Sequence, residues 1–212
     1  PRPPRSTLFP YTTLFRSTPQ AAAEFFRRLW AECGLTPALT VRDASGKRIP
    51  NVEVVRWLNG SQQIVALFRR EGQAQSATVE LAGAQPRYVY DLRQRRSLGP
   101  AARFSTTVVP NRATFLVLTE KPSPTPRLVL TKSPAARGQV VKGLLSVPES
   151  QGAHAFRIRA RFGEHGFDWL DQVLVAGQKP KEFDIPIAFN DAPGQYDITA
   201  TDLLTNAPTM AT

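Results

Sequence analysis

Apolar positions recur along this chain with two different periods. Between residues 19 and 33 they fall three and four apart, at Phe25, Phe26, Leu29, Trp30 and Cys33, which is the spacing of one helical face. Thr18 before Pro19 supplies an N-cap followed by a proline at the first helical position, and Gly34 supplies a stop, so the pattern predicts a helix over 20–33. Cys33 lies on the apolar stripe and reads as a buried, inert thiol. After Gly34 the period changes to two. Val52, Val54 and Trp57 lead into Asn59-Gly60-Ser61, and Ile64, Ala66 and Phe68 follow, which predicts a tight β-hairpin. Further strand-like runs occupy 38–42, 77–81, 87–92, 104–109 and 114–119, separated by Gly-, Pro- or Arg-rich turns. Short strands at this density predict a β-sandwich over 35–120.

The segment Glu120-Lys121-Pro122-Ser123-Pro124-Thr125-Pro126 carries a proline at every second position, and 121–126 reads as an extended linker. Beyond it, runs at 127–131, 139–146, 153–162, 172–176, 181–187 and 195–203 predict a second, smaller sandwich over 127–212. Its clearest strand places Phe156, Ile158, Ala160 and Phe162 on one face and Arg157, Arg159 and Arg161 on the other. Residues 205–212, rich in Ala, Pro and Thr, read as a frayed or truncated end. The expected fold class is all-β: two consecutive antiparallel β-sandwich, immunoglobulin-like domains preceded by one short helix at 18–34.

Charge changes the picture only once the first residues are set apart. Residues 2–17 resemble one translated reading frame of a sequencing-library adapter, so 1–17 is expected to be an artefactual, disordered segment. Without Arg2, Arg5 and Arg16 the formal charge of +10 falls to about +7. No apolar run approaches the ~20 residues that span a bilayer as a helix. A single cysteine excludes an internal disulfide framework. The arginines around Asp91-Leu92-Arg93-Gln94-Arg95-Arg96, together with Arg87 and Arg103, raise the question of nucleic acid, but no binding motif accompanies them and none is expected as a partner.

Catalytic signatures are equally scarce. Glycine-rich phosphate loops, H-E-x-x-H and C-x-x-C are all absent, so no cofactor and no metal is expected. Glu164, Asp168 and Asp171 cluster near His165 and mimic a paired-carboxylate or weak calcium site, although loop solvation accounts for them as well. Asn59-Gly60-Ser61 fits a glycosylation sequon, but the turn chemistry of Asn-Gly explains it first. Two tryptophans are candidates for contact with carbohydrate, whose pyranose rings present an apolar face to aromatic side chains. Trp169 is the better one, because its neighbours are polar and glycine-rich; Trp57 reads first as a core residue.

Two segments carry a family resemblance. One is Arg87-Tyr88-Val89-Tyr90-Asp91-Leu92-Arg93 with Ser97-Leu98-Gly99 and Thr114-Phe115-Leu116-Val117-Leu118. The other is Ile187-Ala188-Phe189-Asn190-Asp191-Ala192-Pro193-Gly194-Gln195-Tyr196-Asp197-Ile198-Thr199 leading into Thr201-Asp202-Leu203-Leu204-Thr205. Together they resemble the C-terminal, non-catalytic β-domains of bacterial β-galactosidase-like glycoside hydrolases of the family 42 kind. The pattern departs from that family at Arg95-Arg96-Ser97, at Tyr196 where tryptophan is expected, and at Asn206 where glycine is expected.

The resemblance implies that the helix at 18–34 ends an upstream trimerisation domain, itself preceded by a catalytic barrel. The implied role is an accessory one, stabilising an oligomeric parent enzyme or positioning polysaccharide, with no hydrolytic activity in this chain. The location is left open, with an extracellular or periplasmic one favoured. The alternative is a stand-alone extracellular adhesion or interaction module of immunoglobulin-like build.

Overall fold

The computed structural model describes residues 18–211, so the expectation for 1–17 lies outside the described residues. Helix α1 (Pro19–Glu32) begins where the capping residues place it: the Thr18 hydroxyl accepts a hydrogen bond from the Ala21 amide at 3.3 Å. It ends in a left-handed turn at Gly34, φ +67°, whose amide donates to the Ala31 carbonyl while Leu35 donates to that of Trp30. The apolar stripe is not buried. Phe25, Phe26, Leu29 and Trp30 are each 40–50% exposed. Cys33 corrects the expectation of a buried thiol: it is exposed, because it is the C-cap residue at which the chain leaves the helix. The helix belongs to a compact unit ending at Leu39, and a second compact unit begins at Thr40.

The following residues are mostly strand, and the sheets are antiparallel, as an all-β sandwich requires. Eight strands come first: β1 (Leu39–Arg42), β2 (Val52–Asn59), β3 (Gln62–Arg69), β4 (Gln75–Leu81), β5 (Arg87–Asp91), β6 (Arg96–Ala101), β7 (Arg103–Val108) and β8 (Thr114–Thr119). They form a sheet of order β1-β4-β7 and another of order β2-β3-β8-β5-β6. Alternation decides the core: Val65, Leu67, Val89, Leu116 and Leu118 are buried on the larger sheet, and Val41, Ala77, Val79, Phe104 and Val108 on the smaller.

Strand β6 lies where the residues read as a turn. As the edge strand it tolerates Pro100, whose missing donor is not needed there, and Gly99 at φ +76° accompanies a bulge in its pairing with β5. At the opposite edge, β2 leaves Val54, Val55, Trp57 and Leu58 exposed. Trp57 is 47% exposed, which corrects the core reading: β2 is an edge strand, and among the described residues β3 is its one strand partner.

A second set of eight strands follows residues 120–126: β9 (Arg127–Leu130), β10 (Val140–Ser146), β11 (His154–Phe162), β12 (His165–Gly166), β13 (Gln172–Ala176), β14 (Lys181–Pro186), β15 (Asp197–Asp202) and β16 (Pro208–Ala211). Order β14-β10-β9 makes one sheet; β12-β11-β15-β16, with β13 beside β11, makes the other. Their facing sides interleave Leu128, Val141, Leu145, Phe183 and Ile185 with Phe156, Ile158, Ala160, Ile198 and Ala200 in one core. Strand β16 corrects the expectation of a frayed end. Asn206 adopts φ +59°, the Asp202 amide donates to the Ala207 carbonyl, and the chain turns back to pair Ile198 with Ala211.

The β2–β3 hairpin meets the 149–154 loop in a dense set of hydrogen bonds. The Ser61 amide donates to the Gln151 carbonyl at 2.8 Å, and the Gln151 side-chain oxygen accepts from the Glu120 amide at 2.8 Å. Asn59 grips Ala153 twice: its Nδ2 donates to the Ala153 carbonyl at 2.7 Å, and its Oδ1 accepts from the Ala153 amide at 3.1 Å. Glycines make the approach feasible, since a Cβ on Gly152 would lie 2.2 Å from the Asn59 carbonyl oxygen. Gly152→Ala is therefore expected to cost about 1–3 kcal/mol in urea unfolding. Gly177→Ala, whose nearest neighbours lie at 4.0 Å, should stay within about 0.5 kcal/mol of the parent. Equal effects from the two would contradict the close approach.

Candidate functional site

A groove of about 650 Å³ opens between the two sheets of the second sandwich. Its floor is apolar: Leu130, Val141 and Ile185 come from one sheet, Ala160 and Ile198 from the other. The loops 132–137 and 191–196 bring Lys132, Arg137, Asp191 and Gln195 to its rim, and Trp169 forms part of its wall.

Trp169 is held there by a short structural lever. After β12 the Phe167 amide donates to the Ala160 carbonyl, and a 3-10 turn over Asp168–Leu170 follows. The two hydrophobic residues of that turn separate: Leu170 is 2% exposed and anchors the core, whereas Trp169 is 51% exposed. Phe167 lies against Trp169 at 5.9 Å between ring centroids, and against Tyr196 at 5.5 Å. Tyr196 in turn contacts Phe162 at 5.0 Å. Aromatic contacts at these distances hold one another in place. Gly194 permits the assembly, for a Cβ there would sit 2.5 Å from the Phe162 ring.

The rim is polar and partly committed. The Tyr196 hydroxyl donates to the Ala192 carbonyl at 2.7 Å. Burial pushes its pKa above the ordinary tyrosine value and the Asp191 carboxylate adds to the shift, while Arg137 opposes it. The hydroxyl therefore stays protonated, a donor beside an apolar wall. Lys132 Nζ donates to Gln139 Oε1 at 2.7 Å. Chemically, this is a place where a ligand with one apolar face and a hydroxyl-bearing edge can rest.

The acidic residues singled out from the sequence do not converge on the groove. Asp171, which caps the end of the 3-10 turn, is taken up by the arginines of β11: Arg157 binds both its oxygens at 2.6 and 2.5 Å and Arg159 approaches to 3.4 Å. Glu164, Asp168 and His165 are exposed in and beside the β11–β12 turn. Among the described residues no group of three or more His, Cys, Asp or Glu side chains is arranged to hold a metal ion. Trp57 lies on β2 of the other sandwich and does not line the groove. The Asn59 amide is engaged with Ala153 and, at 3.1 Å, with Gln62 Oε1, which leaves it a structural clamp rather than a free acceptor for glycan.

Sequence reasoning missed a buried polar chain beside that clamp. His154 is 2% exposed; its Nδ1 lies 2.9 Å from Asp202 Oδ2, and its Nε2 lies 3.1 Å from Gln62 Nε2. Asp202 also accepts from the Leu204 amide and the Thr205 hydroxyl. Residues 62, 154 and 202 share no spacing that a motif could report. The one local signal is the run of hydrogen-bonding residues in Asp202-Leu203-Leu204-Thr205-Asn206.

The Arg157–Asp171 pair yields a pH prediction. The Arg157 guanidinium, by hydrogen bonding first, holds the Asp171 carboxyl below its ordinary value of 3.8, and Arg159 contributes. A lowered folded-state pKa stabilises the fold above the unfolded value, and that contribution disappears as pH falls through the folded value. Asp171→Asn should accordingly lower Tm at pH 7 and cease to matter once the medium is well below pH 3.8. A Tm difference that persisted undiminished at low pH would refute the ion pair as its source. No protein-family model matches the chain, and no curated protein matches it.

Proposed function

We propose that this chain is a non-catalytic accessory region that positions carbohydrate, of the kind that follows the barrel of a β-galactosidase-like glycoside hydrolase. The observation that carries the reading is the groove with Trp169 in its wall. A half-exposed indole, braced by Phe167 at 5.9 Å, offers a rigid apolar platform at little entropic cost. Asp191, Arg137 and Gln195 on the rim supply acceptors and donors for sugar hydroxyls. The family resemblance of residues 87–118 and 187–205 supports the same reading. An all-β fold without an alternating α/β barrel among the described residues suits a positioning role.

Calorimetric titration with neutral galacto-oligosaccharides tests the proposal. Binding should be accompanied by a change in tryptophan fluorescence, should vanish in Trp169→Ala and should be unaltered in Trp57→Ala. No turnover of nitrophenyl galactosides is expected from either protein. Flat calorimetry with every neutral galactan would sink the carbohydrate reading.

The interaction-module alternative draws on a different observation, the exposed apolar edge made by Val54, Val55, Trp57 and Leu58 on β2. Under that reading Trp57→Ala, not Trp169→Ala, is the variant that loses a partner.

A further inference from the structure

The first sandwich ends in two turns that lie side by side. The Leu92 amide, at the start of the β5–β6 turn, donates to the Phe115 carbonyl at 3.0 Å, and Arg93 Nε donates to the Ala113 carbonyl at the end of the β7–β8 turn. The two turns therefore form one surface, and it is strongly cationic: Arg93, Arg95, Arg96 and Arg112 are all exposed on it. The contrast with neighbouring arginines is informative. Arg87 pairs with Glu120 at 3.5 Å and Arg103 with Glu80 at 3.3 Å, whereas none of the four is in an ion pair among the described residues. The nearest carboxylate in sequence, Asp91, is 1% exposed and fully engaged. It accepts from the Arg93 and Gln94 amides at 3.0 Å each and from the Thr106 hydroxyl at 3.3 Å. Its work is to shape the turn that displays the arginines, not to neutralise them.

Arg95 adds an independent observation. It adopts φ +49°, a left-handed conformation that glycine takes freely and that a long side chain takes at a cost. The corresponding strained position of the neighbouring turn holds Asn111 at φ +56°, a residue suited to it. Backbone requirements thus explain Asn111 and do not explain Arg95. An outlier of this kind points to what its side chain does.

We infer that this end of the first sandwich docks an acidic polysaccharide, a chain bearing carboxylate or sulfate groups. Four guanidinium groups held by two braced turns present planar, bidentate donors to such groups. Gln94, Ser97 and Asn111, exposed among them, suit the intervening hydroxyls. Nucleic acid fits less well. Single strands are gripped by exposed aromatic rings between the cations, and among the described residues of the two turns, 92–95 and 109–113, there is no aromatic side chain. Duplex readers insert a helix or ribbon into a groove, whereas these are short turns capping a sheet. The site is separate from the Trp169 groove and stands whether or not that groove binds neutral sugar.

Affinity electrophoresis of the full chain through gels containing polygalacturonate tests the inference. The parent protein should be retarded, less so as salt is raised. A variant combining Arg95→Gln, Arg96→Gln and Arg112→Gln should bind about tenfold more weakly, at the modest worth of each exposed charge contact. Trp169→Ala should be retarded as the parent is, which separates this site from the groove. Arg95→Gly guards against a folding artefact, because it removes the charge while relaxing the backbone; it should weaken retardation with Tm unchanged or raised. Absence of retardation, or retardation indifferent to the arginine changes, would overturn the inference. So would duplex DNA competing more strongly than polygalacturonate at equal charge concentration.

Discussion

The buried polar chain between the two sandwiches has a direction, and its two ends impose it. At one end the Ala153 amide can only donate, and it does so to Asn59 Oδ1. Asn59 Nδ2 must then donate onward to Gln62 Oε1, which turns Gln62 Nε2 toward His154 Nε2. At the other end the Asp202 carboxylate can only accept, so the His154 Nδ1 carries the hydrogen and Nε2 is left as an acceptor. Every donor meets an acceptor only when all four side chains are in place. Gln62, His154 and Asp202 are each at most 3% exposed, so removing one leaves its neighbours unsatisfied away from water. Such a chain specifies one arrangement of the β2–β3 hairpin against β11 and β15 more sharply than apolar contact does. The apolar patch beside it, where Leu204 packs with Tyr90 and Val117, is small and would tolerate sliding.

Strands with one face in a core were legible because burial writes a period of two. Phe156, Ile158 and Ala160 alternate with Arg157, Arg159 and Arg161 in the residues and in the structure alike. The same logic fails at edges. Strand β6 contains Gly99 and Pro100, residues that signal a turn unless one knows that the strand has a single partner. Strand β16 is made by the turn that precedes it, and its own Pro208-Thr209-Met210-Ala211 has no strong strand preference. Helix α1 was legible from its caps, yet the exposure of its stripe was not, since amphipathicity states that a face prefers cover and not whether cover is present.

The candidate site divides in the same way. Trp169 was visible as an exposed aromatic because glycine and charged residues surround it in sequence. The groove around it was not, since it is assembled from Leu130, Arg137, Asp191 and Tyr196, which lie far apart along the chain. Acidic residues close in sequence were misleading for the opposite reason. Glu164, Asp168 and Asp171 are neighbours along the chain, but Asp171 caps the end of the 3-10 turn beside Arg157 and Arg159 of β11, where charge pairing absorbs it. Asn59 shows the two effects combined: its turn was legible locally, while its grip on Ala153, 94 residues away, was not.

A rigid junction bears on how two surfaces of one compact unit would act together. The Trp169 groove belongs to the second sandwich and the arginine turns to the first, and the Asn59–Asp202 chain holds the sandwiches in one arrangement. For a polymer engaged at one surface, the effective concentration of its next segments at the other then depends on the polymer's length and stiffness, not on protein motion. A flexible hinge would average over many separations and favour no particular chain length. A fixed separation instead favours ligands whose acidic and neutral stretches match it and gives no avidity to shorter ones. Stability and selectivity are coupled at this point. On the proposed readings of the two surfaces, the hydrogen bonds that exclude sliding between the sandwiches would also set which polysaccharide fits both at once.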